Sequence, residues 1–151
     1  MAANNDPIYT RTPDLQVAGA VVGPTANTNQ DGTSTTTSST QIFVADATEG
    51  GFVQKVILKP VLSPAATVAR VFLVATAAAF TMGTTNTAAN TNMIAELTLL
   101  AITTSNTVAQ NHYEIPLNLP IPAGYRLIIA FGTSTGAAGT GYAVTTVGGK
   151  Y

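Results

Sequence analysis

Apolar positions in this 151-residue chain fall in short runs at regular intervals, separated by clusters of Gly, Pro, Asn, Asp, Ser and Thr. Alternation of apolar and polar residues marks a half-buried strand, and turn-forming clusters mark its ends. Val17 to Val22 predicts a first strand, weakened by Gly19. Gln41 to Ala45 is short and apolar, and Phe52 to Leu58 follows Gly50-Gly51 and stops at Pro60. Thr67 to Thr76 sets Val68, Arg70, Phe72 and Val74 on one face and Val71 and Leu73 on the other. Met93 to Ala101 alternates less cleanly. His112 to Leu119 sets Tyr113, Ile115, Leu117 and Leu119 against His112, Glu114, Pro116 and Asn118. Arg126 to Phe131 is nearly all apolar, as a central buried strand should be, and Tyr142 to Val147 alternates again. These runs predict an all-β fold: an antiparallel β-sandwich, jelly-roll-like, of about eight strands. Pro116, Pro120 and Pro122 point to an edge strand or strand ends, because proline cannot donate to a central ladder.

Between the runs lie segments of different character. Residues 1–16 read as an extended N-terminal arm, stiffened by Pro7 and Pro13, with Ile8 and Tyr9 as an apolar pair that could dock it. Residues 17–151 read as the β-sandwich domain. Residues 23–40 form a polar loop in which Asp31-Gly32 is a turn signal and the Thr/Ser run after it has strand propensity. Ala77-Ala78-Ala79 could start a helical turn, but Gly83 and the Thr/Asn-rich stretch after it place residues 77–92 in a projecting contact loop.

Composition changes the picture in one respect. A chain of this length can bury about 70% of its unfolded surface, so a full core is expected. Only 9% of residues are charged, against the usual quarter, and Thr, Ala, Asn and Ser take the place of Lys and Glu. A net charge of -1 gives little repulsion between copies and favours association. Six scattered basic residues leave no footprint for nucleic acid. Positions 1–20 lack the basic start and apolar core of a secretory signal, and no apolar run is long enough to span a membrane. The absence of Cys removes disulfides and thiolate metal sites.

Candidate chemistry is sparse. His112 is the single imidazole; Glu114 would share its face, but nothing supplies a third catalytic partner. Asp46 and Glu49 could form a carboxylate pair, with Asp31 near in space, yet a hard cation wants more oxygens than these, and a turn is the simpler reading. The Gly-rich stretch 132–141 lacks the Gly-Lys-Ser/Thr ending and following helix of a phosphate loop, and reads as a hairpin loop. Arg70 and Arg126 lie inside apolar strands. Either Glu96 or Glu114 could pair with them, across the sheet or a subunit boundary; the alternative is a strand face open to solvent. No cofactor, metal or small-molecule substrate is expected, and a sandwich-fold hydrolase would need more convergent ionisable groups.

Several segments together resemble a known family. These are Gly23-Pro24-Thr25-Ala26-Asn27-Thr28, residues 45–53, Val68-Ala69-Arg70-Val71-Phe72, residues 119–127 and Gly148-Gly149-Lys150-Tyr151. Over roughly residues 17–151 the chain resembles the small capsid decoration, or cement, proteins of tailed bacteriophages. The motifs are turn and backbone signatures of a jelly-roll-like sandwich, a fold shared by cement proteins, head fibres and tail tips. The resemblance implies a virion structural protein made in the bacterial host cytoplasm. It would sit on the capsid surface as a homotrimer at threefold or quasi-threefold positions, clamping neighbouring major capsid protein subunits. It implies no catalytic residues. From composition and expected exposure, the capsid or subunit contacts are placed at Ile8, Tyr9, Arg11, Arg70, Phe80, Met82, Arg126 and Tyr151. The alternative is a head-fibre or tail-tip module that binds a host-surface carbohydrate on aromatic platforms such as Tyr125 or Tyr142.

Overall fold

The computed structural model describes residues 11–18, 22–34, 38–76 and 81–151. They form eight strands: β1 (Thr12–Val17), β2 (Ser39–Val44), β3 (Gly51–Val61), β4 (Thr67–Val74), β5 (Thr91–Leu99), β6 (Tyr113–Ile121), β7 (Arg126–Phe131) and β8 (Gly141–Lys150). Two four-stranded sheets run β1-β8-β3-β6 and β2-β7-β4-β5. All pairings are antiparallel, and β1 with β8, β2 with β7, β3 with β6 and β4 with β5 are each hydrogen-bonded. The chain is thus one long hairpin, tipped at the β4–β5 loop and wrapped so that alternate strand pairs fall in opposite sheets. That is a jelly-roll order.

Alternation decides which side chains meet between the sheets. Val53, Val56 and Leu58 of β3, Ala69 and Val71 of β4, Leu127, Ile129 and Phe131 of β7, and Tyr142 and Val144 of β8 fill the common core. Tyr113, Ile115, Leu117 and Leu119 of β6 all face it, as their spacing predicts. Arg126 to Phe131 is a central strand between β2 and β4, and proline-bearing β6 is an edge. Asn118, at a left-handed φ of 47°, lies where the β3–β6 register shifts.

The differences from expectation have local causes. The first strand is Thr12–Val17, inside the stretch read as an arm, while residues 1–10 and 19–21 lie outside the described residues. Val22 makes only an isolated bridge to Tyr142. β1 was hidden because its apolar residues face outward: Leu15 and Val17 are 63% and 59% exposed. Its polar side faces inward instead. The Gln16 amide donates to Val44 O and accepts from Val44 N, both at 2.8 Å, and so fixes the register of β1 against the other sheet. β3 runs through Pro60, which pairs with Tyr142 of β8 beyond the point where β6 pairing ends at Leu58–Tyr113. A proline costs no ladder bond on that open side.

The 77–92 segment is not a projecting loop where it is described. Residues 81–90 make successive turns, and the strand begins already at Thr91. Met82 packs on Phe72, Val74, Ile128 and Ala130, a second apolar cluster on the outer face of β4 and β7. Thr91 and Phe72 also receive the Asp31-Gly32 turn. Gly32 has φ +80°, and a Cβ there would lie 2.2 Å from Thr91 Cγ2, so the turn both needs and fits glycine.

Tyr142 is the largest fully buried side chain; its ring stacks on Phe131 at 5.6 Å, and its hydroxyl has no hydrogen-bond partner among the described residues. Desolvation, with the Tyr113 hydroxyl nearby, pushes its pKa from 10.0 up to about 12. Tyr142→Phe should therefore be neutral or stabilising by up to ~1 kcal/mol in urea denaturation, because it removes an unsatisfied group without leaving a cavity. Tyr142→Ala should cost about 3–5 kcal/mol. The raised pKa favours the protonated phenol in the folded state, so this contribution is complete below pH 10.0 and is lost as pH rises to about 12. Tyr142→Phe should remove that part of the alkaline loss.

Candidate functional site

Three surfaces carry the residues singled out by sequence. The first is the outer side of β2-β7-β4-β5. Arg70 of β4 is nine-tenths buried there and lies opposite Glu96 of β5; its Nε donates to Glu96 Oε1 at 2.9 Å. Its Nη1 donates to the backbone O of Asn27 at 3.3 Å. The expected buried ion pair is thus Arg70–Glu96, within the sheet. Glu114 pairs elsewhere, and Arg126 donates from Nη1 to Gln41 Oε1 at 3.1 Å.

Buried amides hold the loops down onto this face. Asn27 Nδ2 donates to Ser39 Oγ and Thr33 O, each at 3.2 Å, and Asn29 N donates to Asn27 Oδ1 at 3.0 Å. Asn86 Nδ2 donates to Gly32 O at 2.9 Å and Ser34 Oγ at 2.6 Å, and Gly83 N donates to Asn86 Oδ1 at 2.6 Å. These two asparagines escaped sequence reading. The only signal was their place in Asn/Thr-rich stretches that resemble open loops. Beside them, Thr25, Asn27, Asn29, Thr33 and Ser34 line a polar recess of about 340 Å³.

The second surface is the outer side of β1-β8-β3-β6. Register puts Leu15 beside Val147 and then Lys55, and Val17 beside Thr145 and then Ile57. Leu15 and Val17 stand out from it largely uncovered. At the β6 margin, Lys55 Nζ reaches Glu114 Oε1 at 2.7 Å and His112 Nε2 lies 3.2 Å from the same oxygen. The Lys55 hydrogen bond, ahead of the contribution from His112, holds the Glu114 carboxyl below its usual range. His112 and Glu114 do share a face, but their third neighbour is a lysine. The group is an exposed ion pair.

The third is the rim where β1 starts and β8 ends. Arg11 N donates to Lys150 O at 2.7 Å, and Arg11 Nη1 lies 3.5 Å from Glu49 Oε1. Tyr151, half-buried, follows Lys150. Asp46 and Glu49 form a turn and no pair. Asp46 Oδ1 accepts from Thr48 N, Thr48 Oγ1 and Glu49 N at 2.9, 2.8 and 3.1 Å. Those bonds, led by the Thr48 amide, lower its pKa to about 2. Asp31 is likewise lowered by Thr33, whose hydroxyl and amide donate to it at 2.7 and 3.0 Å. Among the described residues no group of three or more His, Cys, Asp or Glu is placed to hold a metal.

The predicted contacts are therefore not one cluster. Arg70, Met82 and Arg126 share the outer side of the second sheet; Arg11 and Tyr151 sit together at the rim; Ile8, Tyr9 and Phe80 lie outside the described residues. Tyr142 is 0% exposed, which removes it as an aromatic platform, whereas Tyr125 is half-buried and packs partly on the core. The Gly-rich stretch is not the expected hairpin loop: β7 and β8 lie in different sheets, so it crosses from one sheet to the other, braced by Thr135 Oγ1 donating to Thr140 O at 2.8 Å. No helix among the described residues is long and apolar enough to cross a membrane. No protein-family model matches the chain, and no curated protein and no solved structure is significantly similar to it.

Two stability tests follow from this geometry. Glu96→Gln leaves the buried Arg70 charge uncompensated. It should cost about 1–3 kcal/mol in urea denaturation, less than for a fully buried pair because Glu96 is 45% exposed. Asp46 has a lowered pKa, so its contribution is complete above its ordinary value of 3.8 and is lost as pH falls to about 2. Asp46→Asn, which keeps the accepting oxygen, should flatten the stability profile in that window.

Proposed function

We propose that this chain is a virion structural protein: a capsid decoration, or cement, protein that binds the outside of a phage head. In this reading it acts as a homotrimer that clamps neighbouring major capsid protein subunits against outward pressure. It is made in the bacterial host cytoplasm and works by buried contact, without catalysis. The observation that carries the reading is the polarity of β1. Its apolar Leu15 and Val17 face outward onto a sheet face with Val147 and Ile57, where a lone sandwich would present polar residues. The 9% charged fraction and the resemblance of the turn segments to decoration proteins support it further. Many modest contacts, multiplied over a trimer and over repeated sites, suffice for tight binding to a shell.

The host-carbohydrate alternative keeps only the half-buried Tyr125 of its two platforms, and the described large apolar side chains that are exposed are aliphatic: Leu15, Val17, Leu62, Met93, Leu100 and Val108. The test uses purified chain and undecorated shells of the phage that encodes it. Saturable binding and a higher shell melting temperature are expected. Leu15→Lys with Val17→Lys should stay folded, because each exposed substitution shifts stability by about 0.5 kcal/mol or less. It should weaken shell binding at least roughly tenfold, which is 1.4 kcal/mol. Shells that ignore the protein would sink the proposal, and binding to host glycans instead would move the function to recognition.

A further inference from the structure

Where β4 begins and β5 ends, the outer side of the second sheet opens into a groove of about 370 Å³. It is lined by Thr67, Val68, Arg70, Leu99, Leu100 and Gly132 among others. Its one formal charge is the Arg70 guanidinium, itself nine-tenths buried. A guanidinium has five N–H donors in a rigid plane. Nε is used by Glu96 and one Nη1 hydrogen by Asn27 O. The other Nη1 hydrogen and both Nη2 hydrogens have no acceptor among the described residues. Nη2 is not sealed away from solvent, so these donors are reachable from the groove, and a paired fork of N–H groups suits a planar oxyanion such as a carboxylate.

Gly132 leaves the groove open over one face of the guanidinium. A Cβ there would lie 3.4 Å from Arg70 Nη2 and 3.5 Å from both Cζ and Nη1, which places it over the guanidinium plane. These are ordinary contact distances, and the Gly132 φ lies outside the left-handed region, so neither backbone nor clash demands a glycine. What its missing side chain provides is open space above the arginine.

The walls say what carries the acceptor. Val68, Leu99 and Leu100 are apolar, and Leu100 is 67% exposed at the lip. The groove adjoins the free edge of β5, whose Glu96–Leu99 segment keeps regular register with β4. An extended polypeptide can lie along such an edge and drop a side chain into the groove. A sugar would want a ring to stack on, and none lines it. We propose that this groove takes the carboxylate of an aspartate or glutamate side chain presented by an extended segment of a partner protein. The inference goes beyond the capsid reading and stands without it, because the groove reads a carboxylate whatever protein carries it.

The test is an NMR titration of the intact chain with the blocked peptide acetyl-Leu-Glu-Leu-amide, its Gln counterpart and glucuronate. The Glu peptide should give saturable shifts at Arg70 Nε–H and at the Gly132, Thr133 and Leu100 amides in the millimolar range, with the Gln peptide at least about fivefold weaker. Arg70→Lys should weaken binding similarly by losing the fork. Should that variant not fold, Gly132→Ala serves: it should lower affinity roughly fivefold or more with an unchanged melting temperature. Equal response to the Glu and Gln peptides, or no saturation with either, would overturn the proposal. So would glucuronate shifting the same amides while the peptides do not, which would make the site one for acidic sugars. Failure of shell binding with success here would reject the capsid role alone.

Discussion

One sheet of this sandwich is apolar on both faces, and that constraint organises the molecule. β4 and β7 turn Val71, Ile129 and Phe131 inward and Phe72, Val74, Ile128 and Ala130 outward. The outward set has no second sheet to lie against, so the chain must cover it with its own loops. Those loops are rich in Asn, Thr and Ser, and covering apolar surface with them buries their polar groups. The cost is met by a few side chains that satisfy many backbone atoms at once. Asn27 ties residues 29, 33 and 39 together, Asn86 ties residue 83 to residues 32 and 34, and Arg70 anchors the carbonyl of Asn27. The loop layer is thereby as specific as the sheet beneath it. Replacing Arg70 would disturb the loop and the ion pair together, which is why the neighbouring glycine separates binding from folding more cleanly.

The other sheet carries no such layer. Among the described residues its outer side between β1 and β6 is uncovered at Leu15 and Val17, with half-buried Val147 and Ile57 in adjacent rows and the Lys55–Glu114 pair at one margin. The two faces are therefore unequal in kind. One is sealed by the protein itself and holds a charge in a groove at its end; the other exposes Leu15 and Val17 among the described residues. Apolar area that stays in water gains nothing in folding, so its retention fits a protein whose stable state is an assembled one.

Sequence alone carried seven of the eight strands and the sandwich, and pointed to β6 as an edge or a strand end, because period-two alternation and proline placement report directly on burial and on ladder bonds. It also singled out Arg70, since a charge inside an apolar strand needs a partner nearby, but left Glu96 and Glu114 both open as that partner. It missed β1 for a physical reason. Alternation says that one side of a strand is apolar but not which side faces the core, and in Thr12–Val17 the apolar side is the exposed one. What fixes the orientation is Gln16 bonding to Val44 across 28 residues, and no local pattern encodes that. The loop of residues 81–90 was misread similarly: its polar composition suggested projection, whereas Asn86 and Met82 are there to hold it down.

The edges show which mode of association this architecture permits. β6 is blunted by Pro116, Pro120 and the irregular turn of backbone at Asn118. β1 is short and carries Pro13, and β2 has the N–H and C=O of Val44 occupied by Gln16. β5 is interrupted near Ile94, where its register against Val71 and Phe72 shifts, leaving only its Glu96–Leu99 end regular. Four edges so treated discourage open-ended strand-on-strand growth, which a nearly uncharged, Thr-rich sandwich would otherwise risk. Contacts with other proteins are then directed to places where geometry limits them: a flat apolar face of fixed extent, and a single stretch of free edge that ends at a buried arginine. Contacts of limited extent close on one partner instead of propagating, which is what the proposed role on a shell would require.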